Sequence, residues 1–256
     1  MIMNLTYTAR AKQAAPAGKR LLELMDAKQT NLALSADVTT ADALLTLADT
    51  LGPEIAILKT HIDIVRDFTT ALSQKLRALA DQHQFLLFED RKFADIGHTV
   101  REQYAGGLYQ IADWADLVNA HALPGPGLIE GLKQASRPTQ GLILIAEMSS
   151  QGNLMSKDYI AQTSQMATHY PDFVVGFVTQ RVVSPDAQWI NFTPGIQLQT
   201  GKDGLGQQYN TPEEAILERG ADVIIVGRDI IKSENPLKQA QIYRKQGFLA
   251  YQKRIQ

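Results

Sequence analysis

The sequence predicts a single-domain α/β protein, a closed (β/α)8 TIM barrel with an N-terminal capping helix. Three observations predict it. Short apolar runs bounded by polar or turn residues recur eight times. Stretches of helical period lie between most of them. The length, 256 residues, is the size at which eight such units close on themselves. Alternating strands and helices could also form an open, doubly wound sheet; the count of units favours closure.

The predicted strands are Leu32–Val38, Ile55–Lys59, Phe85–Asp90, Asp116–Ala120, Leu142–Met148, Phe173–Thr179, Trp189–Thr193 and Ala221–Val226. They are largely Ile, Leu, Val and Phe, as suits parallel strands buried on both faces. Before them, residues 8–30 carry Leu21, Leu22 and Met25 on one helical stripe, so residues 1–30 are read as a segment capping the barrel's N-terminal mouth. Asp42–Leu51 repeats Ala and Leu at helical spacing, and Val65–Gln82 does so with Phe68, Leu72, Leu76 and Leu79. Leu128–Gln134, Tyr159–His169, Pro212–Arg219 and Asn235–Lys253 follow less cleanly. Thr211-Pro-Glu-Glu is a strong helix start: a capping hydroxyl, Pro at the first helical position and two acids at the positive end of the dipole. Ser233 and Asn235 before Pro236 offer a similar start. No internal repeat or linker interrupts residues 1–256, which read as one domain.

Composition excludes several classes of function. Lys plus Arg total 25 against 27 Asp plus Glu, without the basic excess of a dedicated nucleic-acid binder. With no cysteine there is no disulfide, thiolate metal site or cysteine nucleophile. No apolar run approaches the roughly 20 residues that span a bilayer, and Met1 to Lys19 lacks a signal-peptide core. The expectation is a soluble, cytoplasmic protein without nucleic-acid or membrane partners.

Barrels of this type place their chemistry at the C-terminal ends of the strands. There the sequence sets Ser35 and Asp37 on the first strand, Lys59 on the second and Asp90 and Lys92 on the third, with Asp95 in the following turn. Residues two apart share a face, so Asp37, Lys59, Asp90 and Lys92 point into one mouth from three adjacent strands. Carboxylates around a lysine keep an ammonium charged and aimed, as a cationic general acid or a neutraliser of a forming carbanion requires. A Schiff-base lysine needs a neutral amine instead. A structural ion-pair network at the rim is the plainer alternative.

A second constellation follows the seventh and eighth strands. Gly195 to Asn210 is long, polar and glycine-bearing, and reads as a lid. Gly227 and Arg228 supply a backbone N–H and a guanidinium suited to a phosphate dianion. No dinucleotide fingerprint, nucleophile elbow or Walker motif is present. The five histidines lack metal-site spacing, so no metal is expected. His61 and His121 read as hydrogen-bonded structural residues, and Trp114 and Trp189 as core.

Phe88-Glu-Asp-Arg-Lys-Phe-Ala-Asp-Ile-Gly97 resembles the signature of the orotidine 5'-monophosphate decarboxylase family, particularly its eukaryotic-type branch. Leu34-Ser-Ala-Asp37, Leu58-Lys-Thr-His61, Ala115-Asp-Leu-Val-Asn-Ala-His121, Ala146-Glu-Met-Ser-Ser150, Thr193-Pro-Gly195, Leu205-Gly-Gln-Gln-Tyr209 and Ile225-Val-Gly-Arg228 extend the resemblance in the family's order, without departure at a motif position. The resemblance implies cofactor-independent, metal-free conversion of orotidine 5'-monophosphate to UMP and carbon dioxide, the last step of de novo pyrimidine nucleotide synthesis. It implies that Lys59, Asp90, Lys92 and Asp95 form a charged tetrad, with Lys92 protonating carbon 6. It implies ribose contacts from Asp37 and Lys59 and a pyrimidine edge held by Ser149 and Gln207 beside Pro194 and Ser35. Gln207, Tyr209, Gly227 and Arg228 would clamp the phosphate. It implies a homodimer in which Asp95 and Thr99 reach into the partner's site. Two alternatives stay open on the residues alone: a Mg²⁺-dependent sugar-phosphate decarboxylase or aldolase of the same superfamily, and a non-catalytic nucleotide-binding barrel.

Overall fold

The structure is a computed structural model that describes residues 4–198, 201–202 and 208–256. Eight parallel strands close in the order β1-β10-β7-β6-β5-β4-β3-β2. They are β1 (Leu32–Ser35), β2 (Ile57–Thr60), β3 (Leu86–Phe93), β4 (Leu117–His121), β5 (Gly141–Ile145), β6 (Val174–Val178), β7 (Ile190–Pro194) and β10 (Val223–Val226). Each coincides with one of the eight apolar runs. A separate antiparallel ribbon pairs β8 (Gly201–Lys202) with β9 (Gln208–Tyr209). β1 stops at Ser35, short of Val38, because the chain turns there: Val38 N donates to Ala36 O at 2.9 Å. β3 instead runs three residues past Asp90, carrying Lys92 within the strand.

Helices α3 (Ala41–Leu51), α4 (Thr70–His83), α7 (Pro126–Ala135), α8 (Lys157–Ala167) and α10 (Pro236–Arg254) lie within a few residues of their predicted spans. α4 starts later than Val65 because a 3-10 turn, Ile62–Ile64, precedes it. Thr211 and Glu214 cap each other, as the Thr-Pro-Glu-Glu start anticipates. The segment beyond them, Glu214–Glu218, is a π-helix rather than an α-helix. Asn235 Oδ1 accepts Lys238 N at 3.0 Å and opens α10. Short α9 (Arg228–Ile231) precedes it.

Strand and helix do not alternate as regularly as the sequence suggests. Between β3 and β4 stand α5 (Gly97–Ala105) and α6 (Ile111–Trp114), in a stretch with no clear helical period. α5 buries only Val100 and Tyr104, which is too thin a stripe to read. Between β6 and β7 the described chain forms no helix.

Helices α1 (Tyr7–Ala11) and α2 (Pro16–Lys28) close the opposite end of the barrel from the polar strand ends. α2 buries Leu21, Leu22 and Met25. Its Gly18 sits close to Val175 of β6 and Ile190 of β7. Arg20 pairs with Asp116, just before β4. Lys28 Nζ donates to Gly52 O, Ile55 O, His83 O and Gln84 O, ahead of β2 and β3. α2 thus crosses the barrel from one wall to the other. Arg10 forms a bidentate pair with buried Asp222, which Arg254 of α10 also holds. Tyr7 and Tyr251 stack with ring centroids 3.8 Å apart. Trp114 and Trp189 are buried, as expected. No helix among the described residues is long and apolar enough to cross a membrane.

Candidate active site

A cavity of about 230 Å³ opens at the C-terminal ends of the strands. The inward register of the strands fills it from all sides. Ser35 (β1), Lys59 (β2), Phe88, Asp90 and Lys92 (β3) and Asn119 (β4) come from one wall. Pro194 (β7), Ile225 (β10), Gly227 and Arg228 come from the other, and Ile145, Met148, Ser149 and Val178 lie between them. The structure therefore gathers Ser35, Asp37, Lys59, Asp90, Lys92, Ser149, Pro194, Tyr209, Gly227 and Arg228 around one space, as the sequence expects. Gln207 lies outside the described residues. Asp95 and Thr99 do not line their own chain's cavity. Asp95 is exposed in the turn after β3, where its Oδ1 accepts Ile96 N at 2.7 Å.

Asp90 is the junction of the charged cluster. Its Oδ2 accepts Lys59 Nζ at 2.7 Å, and its Oδ1 accepts Lys92 Nζ and Asn119 Nδ2, each at 2.6 Å. His61 Nε2 lies 3.1 Å from Oδ2, while its Nδ1 lies 2.8 Å from Asp37 Oδ1. Burial alone would raise the Asp90 carboxyl; Lys59, Lys92 and the His61 hydrogen bond outweigh it and hold Asp90 well below the usual carboxylate range. Burial likewise works against Asp37, yet His61, Lys59 and Ser35 bring it down to about 2. For His61, burial favours the neutral ring, and the bonds to Asp37 and Asp90 reverse this and raise its pKa. An imidazolium with an N–H toward each carboxylate satisfies both bonds at once. Two carboxylates, two ammonium groups and this ring thus form a continuous ionic chain from β1 to β3.

Lys92 carries a cost within that chain. Its φ is +51°, the left-handed region that non-glycine residues seldom enter. Such a backbone costs on the order of 1–2 kcal/mol. The other non-glycine residues with positive φ among the described residues are Gln29, Gln84 and Gln110, all at helix caps. Lys92 alone among them lies inside a strand.

At the opposite wall, Arg228 Nη2 donates to Tyr209 Oη at 2.5 Å, which ties the end of β10 to the ribbon. Asp229 also lines the cavity, its Oδ2 taking Tyr243 Oη at 2.5 Å and Gln239 Nε2 at 2.8 Å from α10. Glu147 pairs with Arg181 and accepts Gln180 N at 3.2 Å, while Gln180 Nε2 donates to Pro194 O at 3.2 Å. This bracket joins the strand ends carrying Ser149 and Pro194 across the connection that lacks a helix.

Sequence reasoning missed Asn119 and Asp229 and gave His61 too small a part. His61 is hydrogen-bonded, as expected, but between two cavity carboxylates. Asn119 had a readable signal: a polar side chain in the otherwise apolar run Leu117-Val-Asn-Ala, at the register that faces inward. His121 is half-buried at the end of β4, where burial and nearby Lys92 keep its pKa low.

Comparison with known proteins gives a consistent result. The model of the Orotidine 5'-phosphate decarboxylase / HUMPS family matches residues 30–243. The orotidine 5'-phosphate decarboxylase of Rhizopus oryzae is 52% identical over 254 residues, covering 97% of this chain and 96% of the fungal protein. The uridine 5'-monophosphate synthase of Bos taurus is 50% identical over 98% of this chain, which spans about half (53%) of the bovine protein. Among solved structures, the orotidine 5'-monophosphate decarboxylase of Methanocaldococcus jannaschii complexed with the inhibitor BMP shares the fold. Its TM-score is 0.65 at 20% identity, covering 85% of this chain and 98% of the archaeal one.

Proposed function

Because the chain belongs to the orotidine 5'-phosphate decarboxylase / HUMPS family, we propose that it converts orotidine 5'-monophosphate to UMP and carbon dioxide, with Lys92 as the proton donor. The family's name joins two activities. The Rhizopus relative, about half identical over nearly its whole length, is named for the decarboxylase alone.

The observation that carries the reading is the junction at Asp90, which aims an ammonium from β3 into the cavity at 2.6 Å from a carboxylate that Lys59 and Asn119 also hold. In the proposed step the bond between carbon 6 and the carboxylate breaks, and carbon dioxide departs. The bonding electron pair stays on carbon 6 in the plane of the ring, where the π system cannot spread it. Lys92 neutralises that charge and transfers an N–H proton to carbon 6; the resulting amine regains a proton from water. Lys59 and Asp37 suit the ribose hydroxyls. Ser149, Pro194 and Gln207 suit the pyrimidine edge, and Tyr209, Gly227 and Arg228 the phosphate. The phosphate lies remote from carbon 6, so its binding energy is free to order the cluster.

The reading includes a homodimer in which Asp95 and Thr99 complete the partner's site. Exposed apolar side chains near those residues support it: Ile96 (65% exposed) and Leu123 (81%) follow adjacent β3 and β4, where a partner would cover them.

The test is a spectrophotometric assay of purified protein with orotidine 5'-monophosphate. Lys92→Ala is expected to lower kcat by more than about 10³-fold while UMP binding persists. Near-normal turnover in that variant rules the scheme out.

A further inference from the structure

β3 and β4 lose their register where the chemistry sits. Glu89 pairs with Val118 and Phe93 with Ala120, so Asp90, Arg91 and Lys92 together stand opposite Asn119. A bulge of this kind leaves backbone groups without ladder partners. The Asn119 side chain supplies one such partner and also holds a neighbouring carboxylate. Its Oδ1 accepts Lys92 N at 2.7 Å, and its Nδ2 donates to Asp90 Oδ1 at 2.6 Å. Asn119 is only 1% exposed, on an inward-facing position of β4. One planar amide thus fixes two things in one geometry: the left-handed backbone of Lys92 and the carboxylate oxygen to which the Lys92 ammonium is bound.

We propose that Asn119 is the positioning residue of the reaction, holding the strained bulge of β3 so that the Lys92 ammonium stays aimed at the reacting carbon. The role demands one acceptor and one donor on adjacent atoms of a short side chain. Asparagine has that pair, whereas an aspartate offers acceptors only and sets a second negative charge beside Asp90. A serine is too small to reach both groups. Without the amide, Lys92 N loses that hydrogen bond and its left-handed backbone loses this support. Substrate contacts on the opposite wall, at Gly227 and Arg228, do not depend on Asn119. Its loss therefore falls on the chemical step and not on binding.

The inference rests on the decarboxylase reading, and the experiment separates the two. Wild type, Asn119→Asp and Asn119→Ser are assayed with orotidine 5'-monophosphate across pH 5 to 8, with UMP dissociation constants and thermal unfolding measured alongside. If wild type does not turn over, the decarboxylase reading fails. If it does, Asn119→Ser is expected to lose at least about 100-fold in kcat with the UMP constant within about threefold of wild type. Asn119→Asp is expected to lose as much at pH 8 and to recover relative to wild type as pH falls, because its protonated carboxyl regains one O–H donor and one acceptor. A merely structural role does not produce that recovery. Variant kcat within threefold of wild type, equal losses in kcat and binding, or a flat variant-to-wild-type ratio across pH overturns the proposal. Should Asn119→Asp not fold, the kcat-against-binding split of Asn119→Ser decides alone.

Discussion

Two neighbouring carboxylates on β3 behave oppositely. Asp90 faces the cavity among cations. Glu89 faces outward, fully buried, with Thr60 Oγ1 donating to it at 2.6 Å and Ile62 N at 3.0 Å. Burial pushes the Glu89 carboxyl up to about 7, against those hydrogen bonds and the pull of His61. An unfolded glutamate gives up its proton near pH 4.5, so between pH 4.5 and 7 the folded chain holds a proton that the unfolded chain has lost. Stability therefore falls as pH rises through that window and is level above it. Asp37 and Asp90 have the opposite sign: their contribution is present above the unfolded value of 3.8 and disappears as pH falls, toward 2 for Asp37. Glu89→Gln is expected to remove the decline between pH 4.5 and 7, a change of about 3 kcal/mol across it, read from urea melts at a series of pH values. An unchanged slope shows that Glu89 does not hold that proton. The charged residues were legible because alternation on a strand puts i and i+2 on one face. The left-handed Lys92 was not, since a bulge breaks the alternation that the reading assumes.

Elements carry the site as much as residues do, and the least legible of them is α5. It follows the turn bearing Asp95 and contains Thr99, and it packs on α7 backbone to backbone. A Cβ on Gly97 would stand 2.3 Å from Gly127 O, and one on Gly131 would stand 2.2 Å from Gly97 O. No apolar stripe announces a helix that docks through bare backbone, so periodicity fails there. Gly131→Ala is expected to force the helices apart, destabilising the fold by about 1–3 kcal/mol. A thermal melt indistinguishable from wild type contradicts the tight contact. By contrast, the Thr211–Glu214 cap and the Asn235-Pro236 start depend on neighbours in sequence and could be read directly. The helix-free connection between β6 and β7 could not, because its ordering comes from Glu147 and Arg181, 34 residues apart.

The molecule as a whole divides its labour between two ends. The polar ends of the strands hold the cavity, while α1 and α10 lock the other end through Asp222, with its two arginines. Eight apolar runs and their count made the barrel legible; the long-range partners of α1 and α2 were not, as no local pattern specifies a contact across 212 residues. For the proposed dimer, mixing equal amounts of inactive Lys92→Ala and Asp95→Ala subunits is expected to restore about a quarter of wild-type turnover, as random pairing makes about half of the dimers mixed and each mixed dimer has one intact site of two. Absence of recovery despite demonstrated subunit exchange refutes the shared site. The lock at Asp222 also bears on how the chain acquires its shape during synthesis. Ribosomes release the N-terminus first, so Arg10 and Tyr7 emerge long before Asp222 and Tyr251 exist to receive them. α1 must wait for α10, and its docking belongs to the slow, non-local end of the folding route.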